Sequence, residues 1–175
     1  MTGIARLVQA HVSHTPDFPE PGVLFRDLSA LFADPVAFRA TIDAMSAPFA
    51  GRFDVVAGAE ARGFLFAAGI GYATGTGVLP LRKPGKLPPP VRTEVYALEY
   101  GTAELQIREG TVSGARVLLV DDVLATGGTL RAARRLLEKA GNTVVGASVV
   151  LELADLGGRA ALQGFEVSAL LTEAG

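Results

Sequence analysis

The run Val117-Leu118-Leu119-Val120-Asp121-Asp122-Val123-Leu124-Ala125-Thr126-Gly127-Gly128-Thr129 constrains this chain more than any other segment. Its four leading apolar residues read as a buried strand that stops on two adjacent carboxylates. A loop of small residues follows, and Leu130 to Ala140 has the composition and spacing of a helix. Strand, acidic pair, small-residue loop and helix, in that order, put backbone N–H groups where they can hold a phosphate. The carboxylates stand one step away, where they can accept hydrogen bonds from a sugar. The pattern fits a phosphorylated ribose. An ordinary strand-to-helix turn, with an aspartate capping the helix, is the competing reading. The loop lacks the Lys-Ser/Thr ending of a P-loop and the G-x-G-x-x-G of dinucleotide folds.

The chain has 175 residues, which suits one domain (1–175) with a sizeable core. Sixteen basic against eighteen acidic residues give a net charge of −2, without the basic excess that a nucleic-acid binder carries. Zero cysteines exclude disulfides, zinc–thiolate sites and cysteine nucleophiles. Met1 to Thr15 lacks the pattern of a signal peptide, and the glycine-rich stretch Gly63 to Val78 is too short to span a bilayer. The expectation is a soluble cytoplasmic protein with no membrane or nucleic-acid partner.

Along the chain, Ile4, Leu7, Val8 and Val12 share one face of a short helix. Thr15 to Gly22, with Pro16, Pro19 and Pro21, reads as a stiff loop. Asp34-Pro35 starts a helix to about Met45, Asp34 as N-cap and Pro35 in the first turn. Strands are expected at Asp54–Gly58, Gly77–Arg82, Arg116–Val120, Thr143–Leu151 and Val167–Leu171. Helices are expected at Arg62–Tyr72, after Thr129 and at Gly157–Leu162. This alternation means βαβ units and a parallel sheet covered on both faces. Glu94 to Arg108, with Gly101 in the middle, reads as a hairpin apart from that sheet, projecting over the ligand site.

The segment VLLVDDVLATGGT resembles the phosphoribosyl-diphosphate signature of type I phosphoribosyltransferases. Three further segments resemble the adenine-specific members of that family: FPEPGVLFRDLS (Phe18 to Ser29), GAEARGFLF (Gly58 to Phe66), and RKPGKLP with ALEYG (Arg82 to Pro88, Ala97 to Gly101). Leu24 stands where valine is frequent in the family, and Ala61 where serine is common. The resemblance implies a five-stranded, mostly parallel sheet flanked by helices. It also implies a small hood over residues 1–32 and a flexible hairpin lid over residues 83–110.

The resemblance further implies that adenine and 5-phosphoribosyl 1-diphosphate yield AMP and pyrophosphate, as a purine-salvage step, through an oxocarbenium-like transition state. Asp121 and Asp122 would hold the ribose hydroxyls, and Ala125, Thr126, Gly127, Gly128 and Thr129 the 5′-phosphate. Glu60, Ala61 and Arg62 would form a pyrophosphate loop containing a non-proline cis peptide. Arg82, Lys83 and Lys86, which taken alone read as a solvated charge run, would meet the same pyrophosphate, the arginine reaching across a homodimer interface. Glu99 would be the general acid/base, with Tyr100 helping to close the lid. Leu24, Phe25 and Arg26 would receive adenine, through backbone groups and the Phe25 ring. Magnesium would arrive with the phosphoribosyl diphosphate, without a dedicated protein metal site. Two alternatives stay open: an enzyme for hypoxanthine, guanine or xanthine, and a ligand-sensing regulator that performs no chemistry.

Overall fold

Val55-Val56-Ala57-Gly58-Ala59 contains no polar side chain, and every residue in it is buried. Burial on both faces is the environment of an interior strand in a helix-covered parallel sheet. The computed structural model, which describes residues 2–97 and 102–174, builds that sheet around this segment. In chain order the elements are α1 (Gly3–Ala10), β1 (Ser13–Pro16), β2 (Leu24–Asp27), α2 (Ser29–Ala33), α3 (Pro35–Ser46), β3 (Val55–Ala59), α4 (Gly63–Thr74) and β4 (Gly77–Leu81). They continue with β5 (Val91–Ala97), β6 (Thr102–Arg108), β7 (Arg116–Leu124), α5 (Gly128–Lys139), β8 (Thr143–Leu153), α6 (Gly158–Ala161) and β9 (Val167–Glu173). The main sheet has five strands in the order β4-β3-β7-β8-β9. All four neighbouring pairs are parallel.

That order contains a reversal. From β3 the chain winds outward to β4, and from β7 it winds the other way, through β8 to β9. The carboxyl ends of β3 and β7 therefore flank the crevice where ligands bind in open α/β sheets.

Strand side chains alternate between two cores. Leu118 and Val120 join Phe49, Phe66 and Ile70 beneath α1, α3 and α4. Val117 and Leu119 join Leu130, Leu136 and Leu137 of α5 and Leu105 and Ile107 of β6. The alternation changes parity across the acidic pair, because Val123 packs with the first cluster and Leu124 with the second. The strand expected to stop at Val120 instead runs through both aspartates to Leu124. What changes at the pair is the facing of the side chains, not the strand itself.

Two smaller sheets stand outside the main one. β5 and β6 form the expected antiparallel hairpin. A backbone bridge between Arg82 and Gln106 joins it to the end of β4. Glu94 of β5 is buried and takes an ion pair from Lys139 of α5 at 2.5 Å. The second sheet pairs β1 with β2, Ser13 opposite Asp27 through Pro16 opposite Leu24. β1 corrects the reading of Thr15 onward as loop, since His14, Thr15 and Pro16 have no apolar alternation to announce a strand. The α3 start is as expected: the Asp34 carboxylate accepts from the N–H groups of Val36 and Ala37, with Pro35 in the first turn.

At the amino ends of β3 and β7 the Asp54 carboxylate accepts from the Arg116 backbone N–H, from its Nε at 3.0 Å and from its second terminal nitrogen at 2.6 Å. These bonds hold the Asp54 carboxyl down at about 2. A carboxyl whose pKa is depressed by folding stabilises the fold above its unfolded value and loses that contribution as pH falls through the folded one. Asp54→Asn is therefore expected to be less stable than the parent at neutral pH. The gap should shrink below about pH 4 and close near pH 2. Urea unfolding followed across that range checks it; a gap independent of pH would contradict it.

Candidate functional site

The β3 strand ends at Ala59, and Glu60, Ala61 and Arg62 lead directly into α4. The Glu60–Ala61 peptide is cis. α4 starts very close to the neighbouring strands. A Cβ on Gly58 would lie 2.3 Å from the Gly63 carbonyl oxygen, and one on Gly63 would lie 3.1 Å from both Asp121 Oδ1 and the Val120 carbonyl. Only glycines allow this approach. It sets the amino end of α4 against the acidic pair.

The β7 strand leads into α5 through Ala125, Thr126 and Gly127. Gly127 is the α5 N-cap, with φ at +80°, and no side chain caps this helix. The aspartates therefore do not cap α5, which removes the competing reading of the loop. Residues Val123 to Leu130 line a hollow of about 60 Å³ at the helix amino end. The loop is buttressed from behind: a Cβ on Gly127 would sit 2.7 Å from the Gly158 carbonyl oxygen, and one on Gly158 would sit 2.1 Å from that of Ala125. Neither α4 nor α5 has an acidic side chain in its first turn. Two helix amino ends thus face one region, each favouring an external anion.

Between them lies a cleft of about 360 Å³ whose walls include Ala61, Lys83, Tyr96, Leu105 and Thr129. Glu60, Arg62, Asp121 and Asp122 complete it. Adjacent strand residues ordinarily face opposite sides, and the parity change brings both carboxylates to the same cleft. The Asp122 N–H donates to Asp121 Oδ1 at 3.0 Å. Burial and the neighbouring Asp122 carboxylate push the Asp121 carboxyl well up from its ordinary range. Asp122 is buried, with its Oδ2 2.6 Å from Arg62 Nε. That contact is an ion pair without hydrogen-bond alignment, so Oδ2 accepts no hydrogen bond.

Arg62 reaches further. Its guanidinium lies 5.5 Å from the centre of the Phe25 ring, and one terminal nitrogen donates to the Arg26 carbonyl at 3.5 Å. One cation therefore spans the acidic pair and the β2 strand. Glu60 Oε2 accepts from the Lys83 N–H at 2.8 Å and from Arg82 Nε at 3.1 Å. The Lys83 N–H first, then Arg82, holds the Glu60 carboxyl below the usual carboxylate range. Arg82 also lies over the Phe64 ring, at 5.6 Å. Lys83 lines the cleft, while Lys86 is exposed and acts on Glu60 only through its field.

The structure thus brings together Glu60, Ala61, Arg62, Arg82, Lys83, Asp121, Asp122 and the Ala125–Thr129 loop. Phe25 and Arg26 are joined to them through Arg62. Leu24 is exposed, and its carbonyl accepts from the Arg26 guanidinium at 2.8 Å. Glu99 and Tyr100 lie outside the described residues. Sequence reasoning missed Tyr96 and Leu105, whose place in the cleft wall was signalled only by alternation along the hairpin. It missed Gly158 altogether, because nothing local marks a glycine that supports a loop thirty residues upstream.

The phosphoribosyl transferase domain family matches residues 39–162. The adenine phosphoribosyltransferase of Renibacterium salmoninarum is 57% identical over 169 residues, covering 96% of this chain and 93% of that protein. Among solved structures, the adenine phosphoribosyltransferase of Thermoanaerobacter pseudethanolicus superposes with a TM-score of 0.93 at 39% identity, over 97% of this chain and 99% of that one. The Saccharomyces cerevisiae enzyme, complexed with an imino-altritol bisphosphate and adenine, gives 0.91 at 34% identity, over 98% and 100%.

The raised Asp121 carboxyl has a measurable consequence. A carboxyl whose pKa is higher in the folded than in the unfolded chain opposes folding once pH exceeds the unfolded value. Asp121→Asn keeps an acceptor for the Asp122 N–H and removes the repulsion. It is expected to raise Tm at neutral pH by about 2–4 °C, with the gain fading below about pH 4. Differential scanning calorimetry across that pH range checks it; a variant less stable than the parent at pH 7 would contradict the electrostatic account.

Proposed function

We infer, for a chain that belongs to the adenine phosphoribosyltransferase family and is thereby a pentosyltransferase, that this cleft joins adenine to 5-phosphoribosyl 1-diphosphate and releases AMP and diphosphate. The observation that carries the reading is the meeting of two backbone-rich loops and an acidic pair at the winding reversal between β3 and β7. A ribose bearing phosphate groups at both ends needs such a meeting. The Ala125–Thr129 loop takes the 5′-phosphate at the amino end of α5. The diphosphate lies toward Ala61 and Arg62 at the amino end of α4, with Lys83 and Lys86 supplying charge.

Asp121 and Asp122 accept hydrogen bonds from the ribose 2′- and 3′-hydroxyls. Hydroxyl donors favour ionised carboxylates, so substrate binding draws Asp121 back toward the charged form. Two carboxylates beneath the ribose then stabilise the positive charge that develops at C1 as the diphosphate departs. Asp122 exchanges Arg62 for a hydroxyl, leaving Arg62 to face the leaving group and the base. Among the described residues no cluster of three His, Asp or Glu stands in a metal-ligand arrangement. Magnesium carried by the diphosphate would be held by substrate oxygens and water, and would neutralise leaving-group charge.

The base lies against Phe25, whose ring packs edge-on to Phe18 at 5.1 Å. The Leu24 carbonyl accepts from the Arg26 guanidinium at 2.8 Å, and the Arg26 carbonyl accepts a longer bond from Arg62 at 3.5 Å. The Arg26 carbonyl, the more weakly held of the two, is the acceptor suited to the 6-amino group of adenine. Glu99 accepts the imidazole proton of the base as N9 attacks C1, and Tyr100 helps close the hairpin over the site. Residues 1–32 act as the hood and 83–110 as the lid. The purine-salvage role and cytoplasmic location follow from the same reading. No helix among the described residues is long and apolar enough to cross a membrane.

A homodimer belongs to this reading. Tyr72 on α4 is 94% exposed, and Leu65 and Val78 are exposed beside the edge strand β4. Phe38 and Ile42 of α3 form a hollow of about 520 Å³ with Gly69 and Tyr72. Arg82, paired here with Glu60 of its own chain, would have to exchange that partner to reach a second subunit's diphosphate.

A purine panel with phosphoribosyl diphosphate and magnesium is expected to give AMP from adenine and little nucleotide from hypoxanthine or guanine; preference for either oxopurine would sink the adenine assignment. Glu99→Ala is expected to lower kcat by about 10²-fold or more, with substrate KM values little changed. Undiminished turnover would remove Glu99 from its role. Multi-angle light scattering is expected to give twice the chain mass, and Tyr72→Glu to shift the protein toward monomer.

A further inference from the structure

Arg26 lies in the strand assigned to the base, yet its side chain is buried against the far end of the chain. One terminal nitrogen donates to the Leu24 carbonyl at 2.8 Å. The other donates to the Ala174 carbonyl, also at 2.8 Å, across 148 positions of sequence. Its Nε is buried without a hydrogen bond, 3.6 Å from Glu173 Oε2. The same carboxylate oxygen lies 3.2 Å from His14 Nε2, on the strand paired with β2.

The physical effect follows from what each end is attached to. β9 is fixed in the main sheet through its ladder with β8, which reaches Leu153 opposite Glu173. Among the described residues, β1 and β2 form a two-stranded sheet of their own. Their placement over the cleft therefore depends on what ties them to that sheet. A guanidinium is planar and rigid, and two of its donors used at once fix the separation of their acceptors. Lysine offers a point charge and cannot hold both carbonyls in that geometry.

We propose that the Arg26 side chain is a positioning residue for purine selection, holding the Leu24–Asp27 backbone at a set distance from the sheet through Ala174, with Glu173 as its counter-ion. The proposal rests on the reading of this segment as the adenine-facing one. Telling an amino group from a keto group with a backbone carbonyl requires that carbonyl to be placed within hydrogen-bond tolerance. The fork also holds the Leu24 carbonyl at 2.8 Å, whereas the Arg26 carbonyl has a longer 3.5 Å bond from Arg62 that the base can replace. Selection of the base is thus tied to Glu173 and Ala174 at the end of β9.

The test compares the full-length parent with Arg26→Met, Arg26→Lys and Glu173→Gln, with adenine, hypoxanthine and phosphoribosyl diphosphate each varied in steady state. Arg26→Met is expected to raise KM for adenine about tenfold and to lower the adenine-over-hypoxanthine ratio of kcat/KM about as much. KM for phosphoribosyl diphosphate should stay within about twofold, since that site is built on β3 and β7. Arg26→Lys should recover only part of the loss. Glu173→Gln keeps the fork and the volume of the side chain, and should shift the adenine KM alone by about threefold. It decides the question if Arg26→Met does not fold. Unchanged adenine KM and selectivity in the folded variants would overturn the proposal, as would equal losses for both substrates. Failure of the parent to form AMP would instead overturn the purine reading beneath it.

Discussion

The ladder between β3 and β7, Val55 opposite Val117 through Gly58 opposite Val120, joins segments some sixty positions apart in sequence. Each strand continues into a loop and then a helix at the same edge of the sheet, and the two chains leave in opposite directions. Because the strands are parallel neighbours, their exit loops must be neighbours too. The two helix amino ends then face one volume. Gly58 and Gly63 let α4 lie almost in contact with β7, so that volume is a cleft rather than a gap between helices. Any arrangement that reversed the winding elsewhere would have left the two loops on separate parts of the surface.

Within the cleft the charges are unevenly satisfied. Glu60 is held through Oε2 by Lys83 and Arg82 and behaves as part of the framework. Asp121 and Asp122 repel each other, and among the described residues the cation paired with Asp122, Arg62, meets it without hydrogen-bond alignment. A protein built only for stability would have no use for such a pair. In the proposed reaction these unfavourable electrostatics would be offset by a ligand that brings hydroxyl donors and develops positive charge at its reacting carbon.

The sheet and its wound helices were legible because βαβ units announce themselves locally, through short apolar runs, capping residues such as Asp34, and glycines at turns. The Ala125–Thr129 loop was legible for the same reason. What escaped was decided at a distance. The pairing of Ser13–Pro16 with Leu24–Asp27 has no alternating pattern, and Arg26 ties that small sheet to residue 174. The parity change at Asp121 and Asp122 follows from which core each neighbour packs into, and strand periodicity alone predicts the opposite. Tyr96 enters the cleft because β5 lies along α5, where Lys139 anchors Glu94. None of these has a signature within a window of ten residues.

The Asp54–Arg116 clasp closes the amino ends of β3 and β7, the two strands whose carboxyl ends form the cleft. The clasp and the cleft therefore lie at opposite ends of the same pair of strands, with the buried segments Val55–Gly58 and Val117–Val120 between them. An exchange at the half-exposed clasp alters charge and the response to acid at one end, while the residues that line the cleft at the other keep their places.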